Sequence, residues 1–249
     1  MTPSPRLYLL DVEGTTSPIS FVYEQLFPYA RRHLEPYLRA RVREGEMDAR
    51  IEDDLELLAR ENAREDESAG APVLAAPGDG VSWEGAVPEA AAYLLWLMDQ
   101  DRKSTALKAL QGRVWREGFE SGELVGAVFA DVPEALRRWS REAKVAIYSS
   151  GSVEAQQLIF RHSSAGDLTR YISGYFDTHV GPKTSAESYR AIATTVGVAP
   201  GEILFVSDVL RELDPARDAG CMTRLSVREG NAAVADTDHN KVHSFLEIS

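Results

Sequence analysis

"YLLDVEGTTSP", residues 8–18, ends a short apolar run with two carboxylates, Asp11 and Glu13, and then a Gly-Thr-Thr turn. Taken from Arg6, the run "RLYLLDV" (6–12) reads as a strand covered on both faces, the kind that builds parallel sheets. Acidic side chains are costly where a buried strand ends unless a cation compensates them. The stretch therefore implies partners for Asp11 and Glu13 that arrive from elsewhere in the chain.

After residue 18 the apolar spacing becomes helical for about a hundred residues. "FVYEQLFPYARRHLEPYLRARV" carries aromatics and leucines at three- and four-residue steps, with Pro28 and Pro36 expected to break or bend it. A second helix is expected over 51–67, a Gly/Pro/Ala-rich connector over 68–80, and further helices over about 88–99 and 104–119. At "DVPEALRRWSREA" the reading shifts again, with Asp131 a candidate N-cap ahead of Pro133 and Glu134.

From there strands alternate with helices. Strands are expected at 144–149, near 175–180, at 203–207 and at 222–227. The helices between them span 152–162, 185–196 (closed by Gly197) and about 211–219 (closed by Gly220). Such alternation means a parallel sheet with right-handed crossovers. The expected fold class is α/β, with a core of residues 1–17 and 129–249 and an all-helical cap, 18–128, inserted after the first strand.

Composition narrows the function. Apolar residues at 44% suffice for a full core, and the net charge of −12 opposes a nucleic-acid or anionic-membrane partner. Much of the acidity lies in 44–67, read as a solvated helix face. The single cysteine, Cys221, excludes an intrachain disulfide and reads as an inert packed thiol in a reducing compartment. "MTPSPRLYLLDVEG" lacks the apolar core of a signal peptide, and no apolar stretch approaches membrane-spanning length, so the expected location is cytoplasmic. The five histidines show no metal-ligand spacing, and nucleotide-loop and zinc motifs are missing.

In an open parallel sheet, ligands bind beyond the carboxyl ends of the strands. The expected strands deliver Asp11 and Glu13, then Ser149, Ser150 and Gly151, then Lys183, then Ser207 and Asp208 with Arg211, Glu212 and Asp214 behind. Singly, each has a plain explanation: a turn at Gly14, helix caps at the serines and Asp208, a surface lysine. Jointly they describe phosphoryl transfer. Asp11 and Asp208 can share a hard cation such as Mg²⁺, while Ser149, helix-leading amides and Lys183 make an anion pocket. Asp11 would be the nucleophile, and Glu13 the acid that protonates the leaving oxygen and then activates water.

These segments, "DVEGT", "IYSSGS", "GPKTSAESY" and "FVSDVLRELD", resemble the four motifs of the haloacid dehalogenase superfamily. With "DRKSTALKALQGRVW" and "VAIYSSGSVEAQQLIFRHSSAGDL" they are similar, over nearly the whole chain, to the enolase-phosphatases (acireductone synthases) of methionine salvage. The resemblance implies a Rossmann-like core with the helical cap, one Mg²⁺ per chain and a monomer. It also implies conversion of 2,3-diketo-5-methylthiopentyl-1-phosphate to 1,2-dihydroxy-3-keto-5-methylthiopentene plus phosphate. Asp11 and Asp208 would bind the metal by side chain and Glu13 by its backbone carbonyl, Ser149 and Ser150 would hold the substrate, and Lys183 would hold the phosphate.

Among the acids after Asp208, Glu212 is chosen over Asp214 and Asp218 to support the metal shell, on spacing alone. In the cap, Arg102 and Lys103 either meet the diketone or lie in solvent, the solvated reading being favoured; Trp115 and Phe119 read as cap packing. Two other functions stay open: a generic Mg²⁺-dependent phosphomonoesterase acting on a sugar phosphate or phosphoserine, and a binding module that has lost catalysis. Glu13, where generic members carry Asp, opposes the first. The intact set of nucleophile, lysine and metal acids opposes the second.

Overall fold

The computed structural model describes residues 4–43, 47–75, 82–233 and 236–248; part of the acidic run, 44–46, and part of the connector, 76–80, lie outside them. The chain forms two compact units, Met1–Gln25 with Phe119–Ser249 and Leu26–Gly118.

The first unit holds a six-stranded sheet in the order β3-β2-β1-β4-β5-β6, every neighbouring pair parallel. Its strands are β1 (Leu7–Leu10), β2 (Lys144–Tyr148), β3 (Gly174–Phe176), β4 (Ile203–Ser207), β5 (Met222–Ser226) and β6 (Lys241–Val242). The helices are α5 (Val132–Trp139), α6 (Val153–Arg161), α7 (Ala186–Val196) and α8 (Leu210–Asp218).

The unbroken apolar character of β1 follows from its central position. Leu7 and Leu9 join a core with Tyr148, Tyr189, Ile192, Phe205 and Leu213. Side chains alternate along a strand, so Tyr8 faces the other side, where its ring stacks on Trp139 at 4.3 Å. Leu9 sits in register between Ala146 and Phe205 with no exposed surface. Leu9→Ala would cost about 2–5 kcal/mol through lost transfer energy and the cavity left behind.

The chain builds β1, β2 and β3 outward on one side, then returns to place β4 on the other side of β1. That reversal opens a crevice at the carboxyl ends of β1 and β4. Asp11 follows β1 there and Asp208 follows β4.

Several expectations are corrected. The third strand stops at Phe176, because Asp177 turns the chain by accepting the His179 amide at 2.9 Å. β6, at two residues, is too short to show any periodicity in the sequence. Asp131 does not cap α5; its side chain accepts from Arg228 Nη1 (2.8 Å), Ser244 Oγ (2.9 Å) and the Phe245 amide (2.5 Å). A buried guanidinium is a stronger partner than a helix-end amide. Phe119 belongs to this first unit, where it stacks on His162 at 5.8 Å.

The second unit is helical: α1 (Phe27–Arg41), α2 (Ala49–Asn62), α3 (Trp83–Asp99) and most of α4 (Thr105–Ser121). A π-helical turn, Phe21–Leu26, leads into α1, with Pro28 in the first turn, where a missing amide is tolerated. Pro36 lies inside α1 and Pro88 inside α3 without ending either helix. Burial of Leu34, Tyr37 and Leu38 on α1, and of Trp83, Ala86 and Val87 on α3, outweighs the lost hydrogen bonds. That burial, with Ser82 capping the Gly85 amide, starts α3 five residues before the expected 88.

α2 ends at Asn62, short of the expected 67. Its acids divide by face: Glu52, Asp53 and Glu56 are exposed, whereas Asp54 holds Arg113 at 2.7 Å. Glu61 accepts from the Ser104 hydroxyl and the Thr105 amide at the start of α4. Trp115 Nε1 donates to Leu26 O at 2.9 Å. No helix among the described residues is long and apolar enough to cross a membrane.

Candidate active site

The loop after β1 folds back on itself. The amides of Thr15, Thr16 and Ser17 all point at Val12 O (3.3, 3.0 and 2.8 Å), and the Gly14 amide donates to Ser17 O at 2.8 Å. Gly14 is required twice over. Its φ is +67°, and a Cβ there would stand 2.3 Å from Asp208 Oδ2. The motif glycine thus lets the β1 loop approach the acid that ends β4.

Asp11 is buried and partnered on both oxygens. Its Oδ1 accepts from Lys183 Nζ at 2.6 Å and from the Val12 amide at 2.7 Å, and its Oδ2 accepts from Ser207 Oγ at 3.1 Å. Lys183, also buried, meets Glu212 Oε2 at 2.7 Å. Ser207 Oγ lies 3.1 Å from that same carboxylate oxygen. Burial opposes the charge on Lys183, but Asp11 and Glu212 outweigh it, and its ammonium is held above the usual lysine range. Glu212 itself is pushed up, by burial first and by the charge of Asp11 second.

Asp208 is the opposite case. Its Oδ1 is buried with no hydrogen-bond partner. Burial, and then the charge of Asp11, push its carboxyl up to about 7. Glu13 is half-buried and is likewise raised, by burial first and by Asp11 second. Asn231, unremarked in the sequence, donates from Nδ2 to Gly14 O at 2.9 Å. Its own Oδ1 is buried and unpartnered, 3.0 Å from the point a Gly14 Cβ would occupy.

Ser149 follows β2, the strand beside β1. It is buried, its amide bonds Phe176 O at 3.1 Å, and its Oγ accepts from the Gly151 amide at 3.1 Å. Ser150 is exposed. Neither caps α6; Ser152 does, accepting from the Ala155 amide at 3.2 Å. The buried Gln156, another residue the sequence reading missed, steadies this loop through Gly151 O (3.0 Å) and Phe176 O (2.9 Å).

Glu212 is thus the acid of its loop that reaches the cluster. Asp214 instead bonds Arg217 at 2.7 Å and His239 at 3.2 Å. In the helical unit Arg102 pairs with Glu65 at 2.9 Å and lies over the Trp96 ring at 5.6 Å; Lys103 is exposed. Cys221 is buried and free, its thiol pushed up to about 12 by burial.

A parallel sheet whose switch point carries an aspartate–lysine pair beside a second, unpaired acid defines a class. The family model for haloacid dehalogenase-like hydrolases matches residues 5–220, and the chain belongs to that class. Enolase-phosphatase E1 of Synechococcus elongatus is 48% identical over 242 residues, covering 96% of each chain. A Vitis vinifera protein named "Probable bifunctional methylthioribulose-1-phosphate dehydratase/enolase-phosphatase E1 2" is 45% identical, over 99% of this chain and 46% of that one. The crystal structure of the Saccharomyces cerevisiae UTR4 protein superposes with a TM-score of 0.78 at 34% identity, over 98% of this chain and 100% of that one. Within its class, the chain belongs to the enolase-phosphatase E1 family.

Proposed function

We propose that the protein is the bifunctional enolase-phosphatase of methionine salvage, a cytoplasmic monomer using one Mg²⁺. It turns 2,3-diketo-5-methylthiopentyl-1-phosphate into 1,2-dihydroxy-3-keto-5-methylthiopentene and phosphate. The observation that carries this reading is the buried Asp11–Lys183–Glu212 cluster at the switch point, in a chain so similar to proteins named enolase-phosphatase E1. The fused Vitis relative supports the substrate, because loss of water from a methylthioribulose phosphate yields a diketo phosphate of this kind.

The residues fit a hard cation. Asp208 Oδ1 and Asn231 Oδ1 are both buried and lack partners, and the donors are all oxygens. Asp11 and Asp208 by side chain and Glu13 by its carbonyl would hold it, with Asn231 Oδ1 adding a neutral oxygen. The ion supplies charge neutralisation at the phosphate and polarisation of the diketone.

In the phosphatase step an Asp11 carboxylate oxygen attacks phosphorus. The bond from phosphorus to the C1 oxygen breaks, and Glu13 gives that oxygen its proton. A raised carboxyl suits the task, since it holds a proton nearer neutrality. Glu13, now ionised, takes a proton from water, which attacks the aspartyl phosphate, releases phosphate and restores Asp11. Lys183 balances the phosphoryl charge, and the Ser149 hydroxyl and Ser150 bind the substrate beside it. The preceding enolisation moves a carbon-bound proton to the carbonyl oxygen.

Anaerobic incubation with the diketo phosphate should produce ultraviolet absorbance of the enediol together with free phosphate. Turnover of generic phosphate esters with no enediol signal would assign the site to an ordinary phosphomonoesterase instead.

A further inference from the structure

Lys183 stands on a loop, so no strand or helix ladder holds its backbone. A lysine also carries four rotatable bonds. Yet its ammonium meets Asp11 and Glu212 at 2.6 and 2.7 Å. Turn bonds from the Gly181 amide to Thr178 O (3.2 Å) and from the Ser185 amide to Pro182 O (3.0 Å) shape the loop, and a run of side-chain hydroxyls ties it to its neighbours. Tyr148 Oη donates to Gly181 O at 2.8 Å, Ser188 Oγ to Pro182 O at 2.8 Å, and Tyr189 Oη to Lys183 O at 2.8 Å. Three consecutive carbonyls are each met by a different side-chain hydroxyl.

We propose that Tyr189, with Tyr148 and Ser188, is a positioning residue for Lys183, setting the ammonium against the nucleophile without touching substrate.

Tyr189 carries most of this role. Its hydroxyl also reaches Glu212 O at 2.9 Å, so one phenol shares its proton between the backbones of Lys183 and Glu212, whose side chains pair. The phenol is fixed in turn. Tyr189 has no exposed surface, meets the Tyr148 ring edge-on at 5.7 Å and tilts against Phe205 at 5.1 Å. Tyr148 comes from β2 and Tyr189 from α7, while Glu212 lies on α8, so the brace ties three elements to the lysine loop. The Lys183 ammonium lies 6.0 Å from the centre of the Tyr148 ring. Gly181 belongs to the same device. At φ +133° it adopts a backbone that favours glycine, and a Cβ there would stand 2.3 Å from Ser188 Oγ.

The inference rests on Lys183 acting in phosphate transfer as proposed above, and the experiment separates the two ideas. Tyr189→Phe removes one oxygen and keeps the ring. It should lower kcat/KM for the diketo phosphate about 10- to 100-fold, the scale of an ångström-sized misplacement. It should weaken inhibition by orthovanadate in parallel and leave the calorimetric Mg²⁺ affinity unchanged. Tyr148→Phe and Ser188→Ala should do the same to a smaller extent, and they read the result if Tyr189→Phe does not fold. In a Lys183→Ala background the hydroxyl losses should cost nothing more, in turnover or in vanadate affinity, because the group they position is gone. Wild-type kinetics and vanadate affinity in the hydroxyl variants, or equal losses with and without Lys183, would overturn the positioning role. Wild-type turnover in Lys183→Ala alone would instead overturn the reading of Lys183 itself.

Discussion

The two acids that end neighbouring strands, Asp11 after β1 and Asp208 after β4, sit in opposite surroundings. Asp11 has a lysine, a serine hydroxyl and a backbone amide on its two oxygens. Asp208 has a buried oxygen with nothing on it, and its carboxyl is raised to about 7. The Lys183 side of the site is complete as a network of the chain's own groups. The Asp208 side gathers two buried acceptors, Asp208 Oδ1 and Asn231 Oδ1, that no donor of the chain meets among the described residues. A third acid, Asp131, completes the comparison. It is compensated like Asp11, by Arg228 at 2.8 Å, but it bonds the Ser244 hydroxyl and the Phe245 amide and so ties α5 to the C-terminal segment.

The largest expected effect is at the compensated acid. Asp11→Asn should lower phosphate release by about three orders of magnitude or more, as for loss of a nucleophile. Release at the wild-type rate would remove Asp11 from the chemistry and erase its difference from Asp131. The variant should also be assayed for solvent-deuterium exchange into the diketo phosphate. Exchange that survives separates enolisation from the phospho-enzyme step.

Next comes Asp131. Asp131→Ala strands the buried Arg228 guanidinium and should cost about 3 kcal/mol in urea unfolding. Burial alone would raise the Asp131 carboxyl, but hydrogen bonds from Arg228 and the Phe245 amide outweigh it and leave it below the usual range. Its stabilisation is therefore fully present above the unfolded value of about 3.9 and fades as pH falls through the lower folded value. Wild type should lose its advantage over Asp131→Asn only on acidification below about pH 4. A pH-independent gap would deny the ionic role.

The smallest effect concerns the uncompensated acid. Asp208→Asn should weaken Mg²⁺ binding in calorimetry by at least the roughly 10- to 100-fold that loss of a group merely orienting a ligand costs. In the metal-free protein at pH 8 it should raise stability, by about 1–2 kcal/mol given that Asp208 keeps part of its surface in water. A loss of stability without metal would mean that Asp208 is paired after all, and the contrast with Asp11 would fail.

Much of this is legible in the sequence. An apolar run covered on both faces announces a central parallel strand, and the alternation after residue 131 announces the crossovers. Asp11 and Asp208 could be named because strand ends are where open sheets bind ligands, whereas Lys183 lies seven residues beyond the end of β3 and was named from the joint pattern. What stayed hidden has a common cause. Tyr189 sits on a buried helix face, where an aromatic reads as core, and its hydroxyl gains meaning only from carbonyls on two other segments. Asn231 reads as a loop residue until Gly14 O fixes which way its amide points. Asp131 matched a cap motif because spacing cannot reveal a guanidinium 97 residues away.

By itself the sequence determined the class of fold, the strand ends that carry the acids and the resemblance that names the reaction, since periodicity and short motifs are local properties. Tertiary structure decided which acid is neutralised and which is left bare. It also decided that Glu212 rather than Asp214 meets Lys183, and that three hydroxyls hold the lysine loop. Charge compensation and hydrogen bonding act over a few ångströms of space, and only the folded chain brings residues so far apart in sequence within that range.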